Sequence, residues 1–115
     1  MSHSKAYQYV TPHDVNHIVS GYCRALGYPA RMIILRWLAS EGSKYAGEIS
    51  DYIQLSKATT SHHLACLAKA GLIYGIEEGS WIRYELNDLN FVLAREYLEL
   101  VFDEIEAAAG IVRKP

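Results

Sequence analysis

The stretch LSKATTSHHLACLAKAGLI, Leu55–Ile73, opens on hydroxyls and two histidines, runs into apolar residues and stops at a glycine. Ser56 is a favourable N-cap type, because its hydroxyl can accept from the free amides of the next turn. Gly71 suits the left-handed position that follows a helix C-terminus. The spacing therefore predicts a helix that begins at Lys57. On that helix Thr60, Leu64, Leu67 and Gly71 share one face, while Ala58, His62, Ala65 and Lys69 lie opposite. The first face is an anchor. The second is small and hydrogen-bonding near its N-terminus, which suits a surface inserted into a groove, with a polar, capped surface helix that touches nothing as the alternative.

The flanking sequence alternates punctuation with periodic segments. Val15, Ile18, Val19, Tyr22 and Leu26 follow the amphipathic helical rhythm, predicting a helix over 13–26 behind an N-terminal arm, 1–12. Pro29 suits the first turn of a second helix, with Met32, Ile33, Leu35, Trp37 and Leu38 apolar, up to the SEGS break at Ser40–Ser43. Ala46–Ile53 reads as a third, short helix, so 46–70 forms a helix-turn-helix. Leu72–Glu78 and Trp81–Leu86 are β-branched and aromatic runs joined at Gly79-Ser80, a hairpin over 72–86. Asn87 caps a last helix over 88–109. Its apolar residues form two stripes, Leu89-Leu93-Tyr97-Leu100 and Val92-Leu98-Val101-Phe102-Ile105. One can cover the chain's own core, and the other needs a partner, most economically a second copy. The fold class expected is mainly α with a small β-hairpin, a winged helix-turn-helix, dimerising through its first and last helices.

At 115 residues, half of them hydrophobic, the chain suits one domain, 1–115. No long apolar run and no leader-like start is present, which predicts a cytoplasmic protein without a membrane partner. Seven basic residues stand against four acidic ones from Met1 to Ile76, and four against nine from Glu77 to Pro115. A mildly basic front could meet a polyanion while the acidic rear stays solvated. Ordinary solvated helix faces are an equally good account of so small an asymmetry.

The ordered pieces Ala25-Leu26…Pro29-x-Arg31, Leu55-Ser56…Ser61-His62-x-Leu64, Ala70-Gly71-Leu72-Ile73 and Gly79-x-Trp81…Tyr84-x-Leu86 resemble the ArsR/SmtB family of bacterial winged-helix repressors. The resemblance implies a homodimer on an inverted repeat in double-stranded DNA, repressing transcription until an inducer, unknown here, releases it. It implies that Lys57, Ala58, Ser61 and His62 face bases or phosphates, that Ser56 and Thr59 flank them, and that Arg83 serves the wing if it points outward. The wing departs from the family pattern in carrying Glu77 and Glu78, which repel phosphate. The salt dependence of binding would then rest on the Lys57–Lys69 helix and on the basic residues of the first two helices.

The family's familiar metal sites are missing by residue type. Lys44–Glu48 holds no thiolate, and Asp88-Leu89-Asn90 opens a helix without histidine. No cofactor is expected. His13 and His17, four apart, form a weak candidate for a private metal site, against simple solvation. Cys23 and Cys66 are weak redox candidates, against two buried reduced thiols. The nine tyrosines, Tyr22, Tyr28 and Tyr97 among them, read as core and interface packing, with an organic-ligand pocket as the alternative. A hydrolase built on Ser61, His62 and His63 fares badly, because these residues fan around a helix with no carboxylate to orient a base. An interaction module whose acidic wing has abandoned DNA is the other alternative.

Overall fold

Proline, glycine and hydroxyl side chains set most of the element boundaries in the computed structural model, which describes residues 12–112. The chain runs α1 (Pro12–Leu26), α2 (Pro29–Glu41), β1 (Lys44–Tyr45), α3 (Ala46–Ile53), α4 (Lys57–Lys69), β2 (Ile73–Glu78), β3 (Trp81–Leu86) and α5 (Asp88–Ala109). Pro29 sits in the first turn of α2, where its missing amide costs nothing. Asn87 caps α5 by accepting from the Asn90 amide. The N-terminal arm lies outside the described residues.

The hairpin is one strand larger than expected. The sheet is antiparallel in the order β1-β3-β2, with Lys44 opposite Tyr84, and Ile73 opposite Leu86 through to Glu78 opposite Trp81. A two-residue strand has no periodicity of its own, so only its pairing with β3 reveals it.

The core gathers Ile34 of α2, Ile49 of α3, Leu64 and Leu67 of α4, and Leu72 and Ile73 at the start of the wing, all under 2% exposed. Each contributes roughly 1.5–3 kcal/mol of burial, which fixes α3 and α4 on α2. From α1, Val15, Val19, Tyr22 and Ala25 close one side. On α5 neither expected stripe is wholly buried. The helix approaches the core through Ala94 and Tyr97, with Leu93, Leu98, Leu100 and Val101 packed beside them. Small Ala94 lets α5 lie close to α1, and this turns Leu89, Val92, Phe102 and Ile105 outward, each at least 57% exposed.

Gly71 locks α4 to α5. Its φ of 79° lets its amide bond Ala68 O and the Leu72 amide bond Leu67 O, closing α4 in a Schellman turn. Asn90 Nδ2 then donates to Ala70 O at 3.2 Å and Gly71 O at 2.8 Å, while its Oδ1 accepts from the Tyr22 hydroxyl. One amide side chain thus joins α1, α4 and α5.

Candidate nucleic-acid interface

The exposed end of α4 is built by a tight connection from α3. Gln54 takes a left-handed φ of 56°, the Ser50 hydroxyl donates to Leu55 O at 2.8 Å, and the Leu55 amide donates to Ser50 O. Ser56 then caps α4, accepting from the Thr59 amide at 3.1 Å and donating to Thr59 Oγ1 at 2.9 Å. Behind the cap, Thr60, His63, Leu64 and Leu67 are buried. In front, Lys57, Ala58, Thr59, Ser61 and His62 are all exposed. The five residues expected on this surface therefore stand together on one rigid face. Thr59 is also tied into the cap.

His63, unlike its neighbour His62, is turned inward. It is 8% exposed and its Nδ1 accepts from Arg31 Nε at 3.0 Å. Arg31, counted among the surface cations, is itself 4% exposed. Its Nη1 donates to the carbonyls of Arg24 and Ala25 in the last turn of α1, and its guanidinium lies 4.3 Å from the Tyr28 ring centroid. Those carbonyls carry the negative end of the α1 dipole, which is how a cation without a carboxylate partner among the described residues is tolerated here.

The Arg31–His63 bond requires a neutral imidazole. Burial, the Arg31 charge and neighbouring His62 all lower the His63 pKa from its ordinary 6.5. The unfolded chain takes up this proton near that value and the folded chain only at lower pH. Stability therefore rises with pH across the window between the two and is lost on acidification. His63→Gln, whose amide oxygen can accept from Arg31, is expected to flatten the change in unfolding free energy between about pH 7 and pH 5. Urea unfolding at several pH values measures this, and an unchanged slope contradicts it.

The wing carries less free charge than its sequence suggests. Arg83 bonds the Glu78 carboxylate, Glu85 Oε1 at 3.2 Å and Ser43 Oγ at 2.7 Å. Its guanidinium is therefore held along the sheet between two acids, not extended toward a ligand. Trp81, beside the Gly79-Ser80 turn, is 65% exposed. That exposure is not legible in the sequence, because an aromatic in a strand reads as packing.

The sensor candidates separate. Cys23 is exposed and Cys66 half-buried, so the expectation of two buried thiols fails. Cys23 follows buried Tyr22 by about 100° around α1, which turns it to solvent. Cys66 Sγ lies 3.7 Å from His62 Nε2, one helical turn away on α4. His17 is exposed on α1, while the His13 side chain lies outside the described residues. Among the described residues no three His, Cys, Asp or Glu side chains cluster as a metal site. Among them, too, no helix is long and apolar enough to cross a membrane.

A model of the arsR family of bacterial regulatory proteins matches residues 28–74, from the start of α2 into β2. The chain is 40% identical over 65 residues to an HTH-type transcriptional regulator of Methanocaldococcus jannaschii, a match covering 56% of this chain and 73% of that protein. It is 38% identical over 64 residues to the transcriptional repressor SdpR of Bacillus subtilis, covering 56% and 70%. A homodimeric winged helix-turn-helix DNA-binding domain from Mycobacterium bovis has the same fold, with a TM-score of 0.64, 20% identity and full coverage of both chains. With α4 capped and presented on a winged scaffold and with these relatives, the chain belongs to the ArsR family of winged helix-turn-helix transcriptional regulators and is not an enzyme.

Proposed function

We propose that the protein is a homodimeric transcriptional repressor that binds an inverted-repeat operator in cytoplasmic double-stranded DNA. The observation that carries this reading is the first turn and a half of α4. Its hydrogen-bonding side chains are exposed in front of a cap, and its opposite face is anchored in the core. In this role Ser61 and His62 meet base edges, Lys57 and the helix N-terminus meet phosphate, and Ala58 and Thr59 let the backbone approach. Arg83 acts within the wing, neutralising Glu78 and Glu85 so that the hairpin can lie beside DNA with less repulsion.

Dimerisation follows from α5. The described residues measure 51 × 29 × 23 Å, longer than a compact domain, and the exposed Phe102, Ile105, Ile111 and Val112 lie at the α5 end of the chain. An apolar surface of this kind marks an association site. A two-fold pair would present two α4 helices about one DNA turn, roughly 34 Å, apart. The homodimeric state of the Mycobacterium bovis domain and the name of SdpR support the assembly and the repressor role. Phe102→Glu with Ile105→Glu is expected to leave the helical content unchanged and to shift the protein to monomer in sedimentation. Its affinity for a two-half-site duplex should fall at least about a hundredfold, because the second half-site no longer binds intramolecularly. A variant that stays dimeric overturns the α5 assignment.

A further inference from the structure

Between α1, the start of α2 and the second half of α4 lies a cleft of about 760 Å³, within the range of small-molecule sites. Ile18, Tyr22 and Ala25 make its wall largely apolar, and Arg24 and Lys69 stand at its rim. Arg31 also lines it. Arg31 is only 4% exposed, yet among the described residues its Nε and Nη1 make protein hydrogen bonds while Nη2 makes none, and no carboxylate pairs with it. Three cations around an apolar wall, one of them with an unspent donor, form a binding site for one chemistry. We infer that the cleft binds a small organic carboxylate, its ring or chain against Ile18 and Tyr22 and its carboxylate on Arg31 Nη2 between Arg24 and Lys69.

An anion there completes the hydrogen bonding of a largely buried arginine, and the charge-assisted contact it makes is stronger than a neutral hydrogen bond. The site also touches the operator-reading element. Cys66, Lys69 and Ala70 of α4 form one wall, and Arg31 holds His63 of the same helix. Occupancy therefore changes the seating of α4, a consequence that rests on the repressor reading, whereas the binding itself does not.

Isothermal titration of the full chain, without DNA, with benzoate, phenylacetate and decanoate, and with benzamide and phenylacetamide as neutral controls, tests the site. At least one carboxylate is expected to bind, and its amide at least about tenfold more weakly. Arg24→Gln with Lys69→Gln, both at the rim, should weaken binding about tenfold or more. Gly21→Leu should abolish it, because Gly21 lines the cleft and a Cβ there meets only Arg24 Nη2, at 3.9 Å, so the added side chain takes up cleft space. Binding of none of the three acids, equal binding of the amides, or binding retained in Gly21→Leu each overturns the proposal. Repeating an operator titration with the bound acid present tests the coupling, and an unchanged DNA affinity overturns that consequence alone.

Discussion

Ser61→Glu is expected to reduce operator affinity at least about a hundredfold while leaving the fold and the dimer intact. Ser61 is exposed on the front of α4, one position past buried Thr60 and two before buried His63. A carboxylate at that point faces phosphates and the electronegative edge of the groove, and like charges brought together in an interface cost several kcal/mol. Glutamate is a slightly better helix former than serine, so a loss of α4 cannot account for the effect. Fluorescence anisotropy with an operator duplex, beside circular dichroism and sedimentation of the same sample, separates the two. Unchanged affinity would place the groove-reading surface elsewhere.

Gly71→Ala carries the largest expected cost in stability. The residue sits at a φ of 79°, where an L side chain is strained, and a Cβ there would lie 2.4 Å from Asn90 Nδ2. That nitrogen cannot simply swing away, since it donates to Ala70 O and Gly71 O. Backbone strain of about 1–2 kcal/mol and the loss or distortion of two hydrogen bonds at about 1 kcal/mol each give a destabilisation of roughly 3–4 kcal/mol. Gly79→Ala is the control. Its φ of 64° is also left-handed, but nothing lies within 4 Å of the added Cβ, so only the backbone cost of about 1–2 kcal/mol applies. Urea denaturation of both variants checks the difference. Combining Gly71→Ala with Asn90→Ala should cost less than the two single changes together, since the clash is then gone. Equal losses for Gly71→Ala and Gly79→Ala would contradict the close approach.

Most of the fold was legible because its boundaries are written in residues with one structural use. Ser56, Gly71 and Asn87 mark ends of α4 and α5 through hydrogen bonds and backbone angles that hold in the folded chain. Lys44 and Tyr45 were not legible as β1, because two residues carry no period and their strand exists only against β3. On α5, hydrophobic stripes alone could not say which turned inward. Ala94 decides it, a residue too small to weigh in a count of large apolar side chains.

In the site, the exposed residues of α4 were readable and the buried polar pair was not. His63 lies three residues after Thr60 and four before Leu67, so its position on the inner stripe was available from periodicity. Its residue type pointed outward instead, as did that of Arg31, since charged side chains are almost never fully buried unless paired. The partners that make their burial tolerable are carbonyls at the end of α1, which no side-chain pattern encodes. The commitment of Arg83 to Glu78, Glu85 and Ser43 depends likewise on the pairing of β3 with both its neighbours.

The claim that α4 reads a two-fold operator is tested most directly by titrating the full chain against a duplex from its own upstream region and a scrambled duplex of equal length. The measurement is made between about 50 and 200 mM salt. Binding to the upstream duplex is expected to be about a thousandfold or more tighter than to the scrambled one, with the logarithm of affinity falling linearly in log salt and two protomers per duplex. Equal affinity for both duplexes, or no binding at the lowest salt, would contradict it.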